Sequence, residues 1–129
     1  MSQESLLACS FLIPIHRDAD IADGLMHEPV AQDWLRYRLL TCFGGCTVAP
    51  GLYSGMWRVP KTGRVISDQS HRFVVAVPDG ELGVLRDLLA EACHVFAQQC
   101  IFVEIAGRIE FIEASEHVPT IDLPGPEEA

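Results

Sequence analysis

Between residues 80 and 98, Leu82, Leu85, Leu89, Ala92, Cys93 and Phe96 recur at spacings of three and four, which places them on one side of an α-helix. The opposite stripe, Asp87, Glu91, His94 and Gln98, is polar, so this helix must lie on a surface and cover an apolar layer. That layer is supplied just before it. Arg64 to Val77 ends in the β-branched and aromatic run FVVAV, the composition of a long strand. Pro78-Asp79-Gly80 stops the strand and offers Asp79 as the N-cap of the helix.

The remaining segments fall into place around this pair. Leu7, Cys9, Phe11, Ile13 and Ile15 alternate with Ala8, Ser10, Leu12 and Pro14, the period of two of a strand. The loop HRDADIADGLMHEP follows, with Pro29 suited to a first helical turn. Val30 to Phe43 is free of Gly and Pro and turns Trp34, Leu35, Leu39, Cys42 and Phe43 inward before Gly44-Gly45 ends the helix. Cys46 to Pro60 carries Tyr53, Gly55 and Trp57 at alternate positions among Pro and Gly breaks, which predicts a short or bulged edge strand. Lys61-Thr62-Gly63 makes a turn, and IFVEI and RIEFI flank Ala106-Gly107 as a closing hairpin. Two hairpin-linked strands between two helices predict an α+β fold, a ferredoxin-like βαββαβ sandwich with an additional C-terminal strand. Residues 1–116 form its single domain, and 117–129 an extended tail that holds Pro124-Gly125-Pro126, Glu127 and Glu128.

At 129 residues and 49% hydrophobic, the chain has material for one core. Nine Lys and Arg residues against a net charge of −9 exclude a phosphate-backbone surface, so no nucleic-acid partner is expected. Only 21% of the residues are charged, too few to cover a free monomer, and homo-oligomerisation is the expected remedy. Met1 to Ser5 is polar and includes Glu4, unlike a secretory n-region, and no apolar run is long enough to span a bilayer; the protein is expected to be cytoplasmic with no membrane partner. Cys9, Cys42, Cys46, Cys93 and Cys100 are an odd set in core-like segments, consistent with reduced structural thiols.

In this fold both helices cover one side of the sheet. If Phe73, Val75 and Val77 face them, then Arg72, Val74 and Ala76 face away, joined by Ser10, Leu12, Phe102 and Glu104. An apolar wall with a few polar groups is the composition of a small-molecule site. Trp57, His71, Arg72, Phe102, Glu104 and Gln98 are therefore the candidate ligand-binding residues; an Arg72 to Glu104 cross-strand pair that fixes register is the structural alternative.

Other motifs fail on spacing. Asp18, Asp20 and Asp23 resemble a calcium loop, but the third acid comes one residue late and position twelve is Pro29, so the acids are read as loop solvation and capping. Cys42 and Cys46 in CFGGC lie four apart at a helix C-terminus, where the dipole opposes a thiolate, and no second pair completes a zinc site. His27, His94 and His117 are placed in solvated positions, whereas His71 beside Arg72 is a candidate general base. No nucleophile elbow, dinucleotide fingerprint or phosphate loop is present, and no cofactor or metal is expected.

FGGCT (43–47), GLYSGMWR (51–58), GRVISD (63–68) and FAQQCIFVE (96–104) resemble, in an F-x-G-x-T, G-x-W, F-x-Q order, small bacterial proteins of unknown function. The resemblance spans residues 6 to 112 and implies a ferredoxin-like fold. It places Thr47, Trp57 and Gln98 at the matching polar or aromatic positions, with Gln99 where a Glu is common. A more distant likeness is to nucleotide-sensing trimers of the PII type, without their basic phosphate-binding pattern.

The first functional reading is thus a non-enzymatic, homo-oligomeric domain that binds a small ligand or a protein partner. The alternative is a small enzyme of the dimeric α+β barrel type, with His71 or Glu104 as proton acceptor and Arg72 holding an anionic group.

Overall fold

The computed structural model describes residues 5–121; Met1 to Glu4 and the acidic end of the tail lie outside the described residues. In chain order the elements are β1 (Leu6–Pro14), α1 (Pro29–Phe43), β2 (Thr47–Val48), β3 (Tyr53–Arg58), β4 (Val65–Pro78), α2 (Leu82–Val95), β5 (Cys100–Ile105) and β6 (Arg108–Glu113). The strands form one six-stranded sheet in the order β2-β4-β1-β5-β6, with β3 also on β4. Every pairing is antiparallel. The chain is an α+β fold of one antiparallel sheet and two helices.

Two local predictions need correction. The single edge strand expected over 46–60 is two strands, β2 and β3, because Pro50 and a left-handed Gly51 (φ 79°) interrupt the ladder between them. Asp79 does not cap α2 with its side chain; its backbone N–H donates to Ser5 O, and a 3-10 turn over Asp79–Glu81 leads into the helix instead. At the other end Ala97 takes a left-handed φ of 48°, while Gln98 N–H reaches Cys93 O and Ala97 N–H reaches His94 O. This closure ends α2 at Val95 and carries Gln98 off the polar stripe and into the interior, where it is 8% exposed.

The core lies between the helices and one side of the sheet. Cys9, Phe11 and Ile13 of β1, Phe73, Val75 and Val77 of β4, and Ile101, Val103 and Ile105 of β5 meet Trp34, Leu35 and Leu39 of α1 and Leu85, Leu88, Leu89 and Phe96 of α2 or its cap. Phe11 and Phe73, directly opposite in register, stack with ring centroids 5.3 Å apart. Each fully buried Leu or Phe contributes about 1.5–3 kcal/mol. The α1 stripe is as expected for Trp34, Leu35 and Leu39, whereas Cys42 and Phe43 are only half-buried at the helix end. Gly44 closes α1 at φ 83° and donates to Leu40 O. The β5–β6 hairpin turns at Ala106 and Gly107, both with positive φ (50° and 87°), the twist-matched two-residue turn. Among the described residues no helix is long and apolar enough to cross a membrane.

Candidate functional site

The register separates the two sides of the sheet. Even-numbered residues of β4, from Ile66 to Ala76, point away from the helices, with Gly55 opposite Asp68, Tyr53 opposite Ser70, Leu12 opposite Arg72 and Ser10 opposite both Val74 and Glu104. β1 pairs with β4 only from Ser70 onward, with one further bond from Ile15 N–H to Gln69 O, so among the described residues Val65–Asp68 and its partner β3 have no strand neighbour on that edge and are free to bend. They do bend. Trp57 of β3 reaches Phe102 of β5 and Phe111 of β6 with ring centroids 5.9 Å apart in both cases, and Phe102 and Phe111 are 5.8 Å apart. Strands three places apart in a flat sheet are separated by about 14 Å. The β3–β4 hairpin therefore curls over the open side and closes an aromatic trio above it.

An open groove of about 560 Å³ runs along this hairpin, lined by His16, Ser54, Gly55, Met56, Ser67, Asp68 and Gln69. Ser54 pairs with Gln69 and Met56 with Ser67, so these four side chains have the parity opposite to Asp68 and Trp57, and Asp68 borders the groove while its own side falls with Trp57 on the open side. Burial pushes the carboxyl up from the ordinary range, while hydrogen bonding from the Trp57 indole and the Ser70 hydroxyl partly opposes that rise. Ser70 is itself only 2% exposed. A half-buried carboxylate with a raised pKa beside an aromatic cluster has the character of a functional group.

The far wall of the groove belongs to the β1–α1 loop, and side chains pin that loop on several sides. Arg17 makes two hydrogen bonds to Asp23, Asp20 pairs with Arg64 of the β3–β4 hairpin at 2.6 Å, and Asp18 accepts from Gln99 Nε2 at 2.9 Å. All three loop aspartates are thus engaged with the protein's own donors. Among the described residues no cluster of three or more His, Cys, Asp or Glu could hold a metal ion. Gln98 Nε2 donates to His16 O and to Phe96 O, both at 2.9 Å, which fixes the root of the loop where His16 lines the groove. His27 departs from its predicted solvated position. Its Nε2 contacts Pro14 O at 2.6 Å, its ring stands edge-on to Phe96, its Nδ1 is buried without a partner among the described residues, and burial lowers its pKa. His94 likewise meets Ser115 O and is not free in solvent.

Of the residues singled out from the sequence, Trp57 and Phe102 are in contact. Arg72 and Glu104 share the open side with them, but β1 lies between their strands, so they are not cross-strand neighbours. His71 stands opposite Ile13 on the side that faces the helices, away from Glu104. Gln98 is buried and acts through backbone carbonyls. All five cysteines are free thiols; burial raises the pKa of Cys46, the opposite of an activated nucleophile. Asp68, His16 and Phe111 were not singled out from the sequence, although Asp68 shares the parity of Arg72 on β4 and faces Gly55 across the ladder, a signal that was available.

No family model matches the chain, and no curated protein matches it. Two solved structures do. A phage SAM lyase in complex with S-methyl-5'-thioadenosine superposes with a TM-score of 0.64 at 14% identity, covering 91% of this chain and 96% of that one. A phage SAM lyase in the apo state gives a TM-score of 0.58 at 17% identity, covering 91% and 98%. At these identities the likeness is one of fold, and it extends over nearly the whole of each chain.

Proposed function

We propose that this protein is a small enzyme that holds an adenosyl sulfonium compound beside Asp68 on the open side of the sheet and cleaves a carbon–sulfur bond to release the thioether; its structural neighbours are phage SAM lyases, one of them in complex with S-methyl-5'-thioadenosine. The observation that carries this reading is the half-buried Asp68 carboxylate beside Trp57 of the aromatic trio on the open side of the sheet, on a fold matched along its length by a SAM lyase. A sulfonium is a cation that becomes neutral when the bond breaks. Carboxylates and aromatic faces favour such a cation, and the chain's net charge of −9 draws it in. The thioether departs with the carbon–sulfur electron pair and takes up no proton, so no general acid is needed on the leaving-group side. The carbon it leaves gains its new bond from within the substrate, as Asp68 takes a proton from the neighbouring carbon and that C–H pair closes the double bond of the released amino acid.

Within this reading Trp57, Phe102 and Phe111 form the apolar wall for the adenosyl group. Arg72 and Glu104 on the same side of the sheet offer opposite charges to the carboxylate and ammonium of an amino-acid moiety. Gln98 keeps His16 in place through its carbonyl. We read the strand order β3-β4-β1-β5 with its two intervening helices as a ferredoxin-like core, extended by β6. A second copy of the chain is proposed to cover the open side, where Ile109 is 58% and Phe111 54% exposed; that same exposure favours, as the second reading, a non-enzymatic homo-oligomeric binding domain.

The test is incubation of the purified protein with S-adenosylmethionine, with S-methyl-5'-thioadenosine followed by liquid chromatography and mass spectrometry. Time-dependent release that falls about a hundredfold or more in Asp68→Asn supports the lyase. Saturable binding without any release supports the binding domain instead, and release at an unchanged rate in Asp68→Asn contradicts the proposed site.

A further inference from the structure

Trp57 joins two features that belong to different strands of the sheet. Its partner across the ladder is Ile66, and the next open-side position of β3 is Gly55, opposite Asp68. The indole leans back along its own strand over Gly55. A Cβ at residue 55 would lie 3.3 Å from Asp68 Oδ1, 3.3 Å from Trp57 Nε1 and 3.4 Å from Trp57 Cε2. Glycine therefore leaves the space in which the indole nitrogen and the carboxylate converge. The other side of the same ring packs on Phe102 and Phe111, so the hairpin that carries Asp68 is anchored to the far side of the sheet through one residue.

We propose that Trp57 is a positioning residue, whose indole N–H orients the Asp68 carboxylate on the open side of the sheet while its ring fixes the β3–β4 hairpin over that side. The inference rests on the reading of this side as the ligand site for its consequence in catalysis, but not for its physical content. The Trp57 indole and the Ser70 hydroxyl lie near Asp68 and favour its charged form against burial. His16 from the β1–α1 loop is the other titratable side chain lining the groove. Tyr53 stands on β3 opposite Ser70, and Arg58 is turned to Gly63 O. None of these charged or titratable groups contributes to the Asp68 shift, so removing the indole donor leaves Ser70 alone against burial.

Trp57→Phe keeps an aromatic ring and deletes the donor. Gly55→Ala keeps both partners and pushes them apart. The experiment is a pH titration of the full chain labelled with carboxyl-13C aspartate, with Asp68 assigned by its loss in Asp68→Asn. The Asp68 midpoint is expected to move to higher pH in Trp57→Phe and in Gly55→Ala while the other aspartates stay in place; an unmoved Asp68 midpoint in Trp57→Phe overturns the inference. In parallel, the acid limb of S-methyl-5'-thioadenosine release is expected to move the same way in Trp57→Phe, with a rise in KM of about tenfold. If the wild-type protein releases no product and the Asp68 midpoint still moves, the lyase reading fails and the role of Trp57 stands. If product forms and neither midpoint nor pH limb moves, the lyase stands and Trp57 is only a packing residue.

Discussion

The two tryptophans lie on opposite sides of one sheet and show what each side is for. Trp34 of α1 is 1% exposed, packed into the core among leucines, with only the Arg38 guanidinium 5.5 Å from its ring centroid. Trp57 is half-buried on the open side, with two aromatic neighbours at one edge and a carboxylate at its nitrogen. The helix side is closed, apolar and continuous. The other side is discontinuous, with a curled hairpin and a carboxylate that folding has left in an unfavourable setting. Stability resides on the first, and the proposed chemistry belongs to the second.

Substitutions on the two sides should therefore separate stability from activity. On the helix side, Leu89→Ala removes a side chain with no exposed surface and is expected to cost about 3 kcal/mol in urea unfolding, whereas Ile109→Ala on the open side should cost less than about 1 kcal/mol. Equal losses would erase the distinction. Asp68→Asn should do the reverse: lose activity and gain stability near neutral pH. Its folded pKa is raised by burial, so the native state binds the proton more tightly and stability falls as pH rises through the window between the unfolded and folded values. Thermal unfolding of the wild type and Asp68→Asn should thus converge at acid pH and diverge toward pH 7, with the variant higher.

His27 gives a smaller effect of opposite sign. Burial lowers its pKa from the ordinary 6.5, so the unfolded chain takes up the proton first and stability is lost as pH falls below that value. His27→Gln should flatten this acid loss, as read by melting temperature between about pH 7 and 5; an unchanged slope would mean that His27 is not the titrating group. The smallest effect belongs to the Arg64–Asp20 pair across the groove, whose arginine is 57% exposed. Arg64→Ala should cost about 0.5 kcal/mol or less and lose even that at high salt.

Much of the sheet was legible in the chain because alternation carries it. Cys9, Phe11 and Ile13, and then Phe73, Val75 and Val77, were assignable to one side by period alone, and Arg72, Val74 and Phe102 to the other. The curl of the β3–β4 hairpin was not legible. It depends on where β1 ends beside β4, at Pro14 and Ser70, a long-range register that local pattern does not encode. Asp68 was passed over for the same reason, since a single acid in an ordinary strand becomes unusual only when Trp57 folds over Gly55 onto it. Gln98 read as helix surface because its spacing fits the polar stripe; the left-handed turn at Ala97 redirected it, and an alanine gives no hint of that conformation. His27 read as solvated because loops usually are, and only the folded loop reveals its packing on Phe96.

The most direct measurement uses the two tryptophans as opposed reporters. In a 15N-labelled sample each indole N–H gives its own resonance, assigned by Trp57→Phe, and the full chain is titrated with S-methyl-5'-thioadenosine. The predicted result is a saturable shift of the Trp57 indole with the Trp34 indole left in place. A shift confined to Trp34, or no shift of either at saturating ligand, would contradict a ligand site beside Asp68 on the open side of the sheet.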